Sequence, residues 1–118
     1  MPVTPGFRTF ALEQLARVTG NLRSKSMFGG VGVYSGEFFF ALLDDDTLFL
    51  KVDEVTRPEF EKRGYKPWAP GGGPASTGYY ELSAEVLEDV DELKPWIDGA
   101  IEVARRKKKA GRKPRRTP

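Results

Sequence analysis

The stretch SMFGGVGVYSGEFFFALLDDDTLFLKVD, residues 26–53, decides the fold. Val31 and Val33 alternate with Gly30, Gly32 and Tyr34, the period of two that marks a strand. Ser35-Gly36 supplies a turn, because glycine takes positive φ without steric cost. Phe38 to Leu43 is apolar without a break. Such a strand is central and covered on both faces, or covered on one face by a partner chain. Asp44-Asp45-Asp46 makes the next turn, where short polar side chains bond the local backbone. From Thr47 the alternation resumes, with Leu48, Leu50 and Val52 on one face and Thr47, Phe49 and Lys51 on the other. Turns this short join antiparallel neighbours, so the segment predicts a three-strand meander.

Outward from the meander, Phe7 to Val18 has helical apolar spacing, begins after Thr4-Pro5 and stops before Gly20. Thr56-Arg57-Pro58-Glu59 has the form of a capping box for a short helix closed by Gly64. Lys66-Pro67-Trp68 fits an edge strand, where proline is tolerated. Gly71-Gly72-Gly73-Pro74 is a flexible loop, and Thr77 to Leu82 is a further strand. Ser83 caps a short helical turn through Leu87. The last helix begins near Asp89, or nearer Lys94 if Pro95 does not kink it, and buries a stripe of Leu93, Trp96 or Ile97, Ala100 or Ile101, and Ala104. The expected fold is α+β: one antiparallel sheet of four or five strands, the three-strand meander at its centre, with the first and last helices on one face.

The meander resembles the N-terminal domain of the TfoX/Sxy family of bacterial competence regulators. The residues that carry the resemblance are Met27, Phe28, Gly29 and Gly30, then Gly32-Val33-Tyr34, Phe40-Ala41-Leu42, and Leu48 through Lys51 to Asp53. Arg57, Phe60, Gly64, Tyr80, Leu82 and the acidic stretch from Glu85 to Glu92 extend it. It implies a small α+β domain similar to secretion-chaperone-like folds and a regulatory rather than catalytic role; the lack of His and Cys adds the expectation of no catalytic, cofactor or metal site. In two-domain members a helical C-terminal domain follows, and those regulators act with the cyclic-AMP receptor protein at promoters. This chain has a basic tail after the matching region, so the expectation is a stand-alone module of residues 1–106 with a disordered basic tail, 107–118; positive charge suits a helix C-terminus, so helicity can run into Lys107 to Lys109, with disorder expected beyond Gly111. Its protein partner is unnamed by the sequence; transcription machinery is what the resemblance suggests.

Composition narrows the chemistry. The 118 residues contain no cysteine and no histidine, which removes disulfides, Cys or His metal sites and Ser-His or Cys-His nucleophiles. No apolar run is long enough to cross a membrane, and the N-terminus lacks a signal-peptide pattern, so the expected location is cytoplasmic. The formal charge of +2 hides an asymmetry. Nine of the nineteen Lys and Arg lie in the tail: Arg105, Arg106, Lys107, Lys108, Lys109, Arg112, Lys113, Arg115 and Arg116. The remaining ten face seventeen acids, a formal charge of −7 for residues 1–104. The tail is either a solvated run or a weak, salt-dependent contact for nucleic acid. It has no aromatic residue on which bases could stack.

Other motifs have plain readings. Asp44-Asp45-Asp46 lacks a further metal ligand in register and reads as a solvated turn. The triple glycine is not followed by the Gly-Lys-Ser/Thr of a phosphate loop. Gly29, Gly30 and Gly32 read as a bulge or as room for close packing. Lys51 either meets an anionic ligand or covers apolar surface with its stem. Two functions remain: a regulatory interaction module, marked by a flat sheet face with exposed Phe, or a small-molecule or enzymatic domain. The latter would use a cleft at the Gly-rich loop with convergent Asp, Lys and Tyr. The consecutive Phe38, Phe39 and Phe40 present aromatic groups to both sides, which predicts a homodimer unless the 56–63 helix covers the second face.

Overall fold

The computed structural model describes residues 3–27 and 29–111. The elements in chain order are α1 (Pro5–Val18), β1 (Leu22–Met27), β2 (Gly30–Ser35), β3 (Phe38–Asp44), β4 (Thr47–Lys51), α2 (Arg57–Lys62), β5 (Tyr79–Leu82), α3 (Ala84–Glu88) and α4 (Val90–Gly111). The five strands form one antiparallel sheet in sequence order, with the expected meander β2-β3-β4 at its centre. Strand β1 is the one the sequence did not show. Its LRSKSM has no apolar alternation, and register comes from pairing alone, Leu22 opposite Ser35 through Met27 opposite Gly30. Charged Arg23 and Lys25 on this edge discourage pairing with another chain.

The β3–β4 turn places Asp45 and Asp46 at φ +53° and +51°. Two-residue hairpins favour this left-handed pair, and Asp tolerates it better than most residues. Asp46 then accepts hydrogen bonds from the Thr4 amide (2.8 Å) and the Thr4 hydroxyl (3.0 Å). The Thr4 hydroxyl oxygen accepts from the Phe7 amide at 3.3 Å, so the hairpin tip anchors the cap of α1.

A bulge resolves the triple phenylalanine. Val33 pairs with Ala41 but Tyr34 pairs with Phe39, so Phe40 is the extra residue on β3. The parity of the strand reverses there. Phe40, Ala41 and Leu43 are fully buried and Phe38 packs against the same core, while Phe39 faces the other side. The core lies between this sheet face and the helices: Leu15 of α1, Val33, Phe40, Leu48, Leu50, Leu87 of α3, and Leu93 and Ile97 of α4. Helix α2 joins the same side through Phe60, whose ring meets Tyr80 at 6.0 Å and Trp96 at 4.9 Å. The 56–63 helix therefore does not cover the second face.

Three local readings are corrected. Thr56 does not cap α2; it is already helical, and no amide bonds its side chain as a cap. The capping residue is Asp53, whose Oδ1 accepts from the amides of Val55 and Thr56, while the Thr56 hydroxyl oxygen accepts from the Asp53 amide. The reciprocal box exists, set three residues earlier. Lys66 to Trp68 forms no strand but a single bridge, Pro67 to Tyr80. The tail does not begin at 107: residues 107–111 continue α4 to Gly111, two residues past the Lys109 to which the charge argument carried the helix. Positive charge suits a helix C-terminus, which favours this continuation. Helix α4 starts at Val90, not near Lys94, with the Asp89 carboxylate accepting from the Asp91 and Glu92 amides and Pro95 inside it. Ser83 caps α3 and Gly64 follows α2 at φ +79°, as expected.

Candidate interaction surface

The sheet face turned away from the helices carries one row of side chains across all five strands. Register puts Arg23 beside Tyr34, Tyr34 beside Phe39, and Lys51 beside Tyr79, with Lys51 next to Phe39 across the bulge. The contacts run along the row. The Arg23 guanidinium lies 5.1 Å from the Tyr34 ring, which stacks on Phe39 at 5.0 Å. The Lys51 ammonium sits 4.9 Å from the Phe39 ring and 5.7 Å from that of Tyr79. Cations over ring faces are attracted by the aromatic quadrupole, by about 0.5–1 kcal/mol each where water reaches them. Trp68 completes the surface. It lies against Tyr79 (5.9 Å) and Phe49 (6.3 Å), and its indole N–H donates to Asp44 at 2.9 Å.

The glycines of the motif make this face possible. A Cβ on Gly32 would meet Met27 Cε at 2.6 Å and Phe39 Cε1 at 3.1 Å, so Met27 and Phe39 occupy the space a side chain would need. A Cβ on Gly30 would meet the Leu43 carbonyl oxygen at 2.5 Å. Both are close-packing glycines, one of the two roles the sequence allowed. Gly29 turns the chain between β1 and β2 at φ +81°. Phe28 lies outside the described residues.

Charge on the row is tuned by burial. Burial lowers the Lys51 pKa from its ordinary value, and nearby Lys107 adds to the effect. Burial raises the Tyr79 phenol to about 12, with Tyr34 adding to it. Lys51 makes no ion pair among the described residues, and its ammonium lies over the Phe39 and Tyr79 rings.

Asp53 has a structural task. Besides capping α2, its Oδ2 accepts from Arg106 Nη2 at 2.8 Å and Nε at 3.1 Å, tying the C-terminal half of α4 to the end of β4. Burial pushes the Asp53 carboxyl up, but Arg106 and the Thr56 and Val55 amides outweigh it and hold the pKa below the usual value. The expected basic tail is thus partly spent on the acidic body. Arg105 pairs with Glu102 (3.2 Å) and lies 5.7 Å from the Phe38 ring; Lys108 approaches Glu37 at 3.7 Å. Lys107 and Lys109 have no ion pair among the described residues. Arg112, Lys113, Arg115 and Arg116 lie outside them.

A cleft does open beside the Gly-rich loop, about 400 Å³, lined by Asp44, Asp45, Phe49, Trp68, Gly71 and Gly72. No Lys or Tyr lines it, so the convergent set that would mark an enzymatic or ligand-binding cleft does not form there. Of the acidic turn, Asp44 is engaged by Trp68 and Asp46 by Thr4; no group of three metal-ligating side chains occurs among the described residues. No helix among them is long and apolar enough to cross a membrane. Sequence reasoning found Tyr34 and Lys51 and raised Phe39 within the aromatic triplet, but missed Arg23, Trp68 and Tyr79 as their companions. The alternation of Tyr79 with buried Tyr80 was a further signal; which face Phe39 takes depends on the bulge, and Arg23 on β1.

The chain belongs to the TfoX N-terminal domain family: the family model matches residues 13–104, from within α1 to the last buried turn of α4. Arg105 to Lys109 fall beyond the match. No curated protein matches the chain.

Proposed function

We propose that this chain is a non-enzymatic, cytoplasmic regulatory module of competence-regulator type that docks a protein partner through the open face of its sheet. The row Arg23-Tyr34-Phe39-Lys51-Tyr79 carries the proposal. Tyr34, Phe39, Lys51 and Tyr79 are half-buried and Arg23 is exposed, and the row is rich in the aromatic and Arg side chains of interface centres. All four helices pack on the other side, and family membership supports a regulatory role. A second copy of the chain is one partner that fits, because two such faces bury each other's rings.

The test uses the full chain and Arg23→Glu/Tyr34→Ser, two outward positions whose change leaves the core intact. Sedimentation equilibrium at high micromolar concentration reads self-association, and quantitative capture from the native host reads other partners. Loss of a dimer, or of a specific captured protein, in the variant is expected. A monomer whose captured partners are the same with and without the substitutions rejects the docking face.

A second reading has its own observation. Lys107 and Lys109 are exposed near the end of α4 without acidic partners among the described residues, and Lys107 lies beside Lys51 and Phe39 of the row. Weak contact of this basic end with nucleic acid, indifferent to sequence, is compatible with the docking role.

A further inference from the structure

On the helical side, α2 and α4 leave a groove of about 440 Å³ that reaches the aromatic row at Lys51. That volume is within the range of small-molecule sites. Its floor is apolar: Phe60 and Ala100 are buried, and Trp96 stands edge-on to Phe60 at 4.9 Å. Its rim includes Val55, which is 72% exposed, an unusual place for a large apolar side chain.

The α4 wall is built from residues that weaken a helix. Pro95 and Gly99, one turn apart, both line the groove, and both are poor formers in a helix interior. A Cβ at Gly99 would meet nothing within 4 Å, so this glycine is not demanded by packing or by backbone conformation. What it does is leave the hollow open.

Charge selects the occupant. Two cations, Arg63 and Lys51, line the groove, and neither forms an ion pair among the described residues. The Arg63 guanidinium lies 5.0 Å from the Trp96 ring, held at the apolar wall rather than by an acid. The one acid lining the groove, Glu59, is solvent-exposed, as is Arg63, and the two cations leave the lining one positive charge in excess. An apolar hollow with an excess of unpaired cations fits a molecule that is apolar at one end and anionic at the other.

We propose that the groove between α2 and α4 is a binding site for a small amphipathic organic anion, an aromatic carboxylate or sulfonate. Its ring system lies against Phe60, Trp96 and Ala100, and its charge faces Arg63 and Lys51. Such a ligand bridges α2 and α4 and gives a regulatory module a small-molecule input. The site meets the docking face at Lys51, which lines the groove and belongs to the aromatic row, while Arg63 and Trp96 belong to the groove alone.

The probe is 1-anilinonaphthalene-8-sulfonate, titrated into the full chain, with the uncharged N-phenyl-1-naphthylamine as its match. Dye fluorescence reads affinity, and the two indole N–H signals in a nitrogen-15 correlation spectrum read location. Trp96 lines the groove, whereas Trp68 lies on the opposite sheet face. Expected are one saturable site, a shift of the Trp96 signal with Trp68 unmoved, and at least about tenfold weaker binding of the neutral match. Arg63→Gln, a surface change, weakens the sulfonate by about three- to fivefold, the worth of one solvent-accessible ion pair. Gly99→Leu fills the hollow and abolishes binding; Gly99→Ala, which keeps helix and core, weakens it if the larger side chain perturbs folding. A shift at Trp68 instead of Trp96, equal affinity for the neutral match, or no saturable binding overturns the proposal.

Discussion

Gly30 and Gly32 look alike in sequence, two small residues in one strand, but their surroundings set different costs. A methyl group at Gly32 presses on the end of Met27, which is flexible and can move. The same methyl at Gly30 presses on the backbone of Leu43, which cannot move without distorting the β2–β3 ladder. Gly30→Ala is therefore expected to lower stability by about 2–3 kcal/mol and Gly32→Ala by less than about 1 kcal/mol, read from urea midpoints. Asp53 yields a pH prediction. Its pKa is held below the usual value in the fold, so its contribution is complete above the unfolded value of about 4 and is lost as pH falls through the folded value. Asp53→Asn keeps a capping group and removes the charge. The variant's stability should fall less steeply than the parent's between about pH 5 and pH 2.5; parallel curves would show that Arg106 adds nothing.

At the scale of elements, what was legible was what repeats. The alternations in β2 and β4, the Ser83 and Asp89 caps and the α4 stripe all rest on a local period or a local hydrogen bond, and they stand where they were expected. What was not legible depends on partners distant in sequence. Strand β1 exists because β2 offers it a ladder, and the bulge at Phe40 exists because Val33 and Tyr34 must be paired. Without that bulge the face of Phe39 could not be assigned, and the row it shares with Arg23 and Tyr79 stayed hidden. Thr56 misled for a different reason: Asp53 offers the same capping chemistry, and Arg57 N–H already bonds the Asp53 carbonyl at 2.9 Å, starting the helical turn there. Pro95 marks a trade within α4. It is exposed and inside the helix, where it removes an amide from the ladder. Pro95→Ala should restore that bond and stabilise the chain by about 1–2 kcal/mol, after allowing for the freer unfolded chain. Thermal unfolding checks this, and an unchanged or lower midpoint would show that the proline is needed to set the helix against α2.

For the whole molecule the decisive feature is an acidic body holding part of its own basic segment. Arg105, Arg106 and Lys108 are engaged by Glu102, Asp53 and Glu37, which leaves six of the nine cations of residues 105–118 outside those ion pairs. Nucleic-acid affinity through this segment should then be weak, and its log-log salt slope on duplex DNA should be no steeper than about −5, at about −0.9 per phosphate. A chain ending at Lys109 keeps all but the last two residues of α4 and the Arg106–Asp53 tie while losing four cations, so it should stay folded and lose most of the binding. Ending at Ala104 is a different experiment, because it also cuts the tie to Asp53, which is only 16% exposed. That chain should be less stable by about 1 kcal/mol, the worth of a charge-assisted hydrogen bond with one solvated partner. Fluorescence anisotropy at two salt concentrations, with urea midpoints for the three chains, separates the effects. Binding that survives at Lys109 with an unchanged slope would move nucleic-acid contact onto the folded body, where Arg23, Lys25 and Lys51 beside the open aromatic rings are the cations to test next.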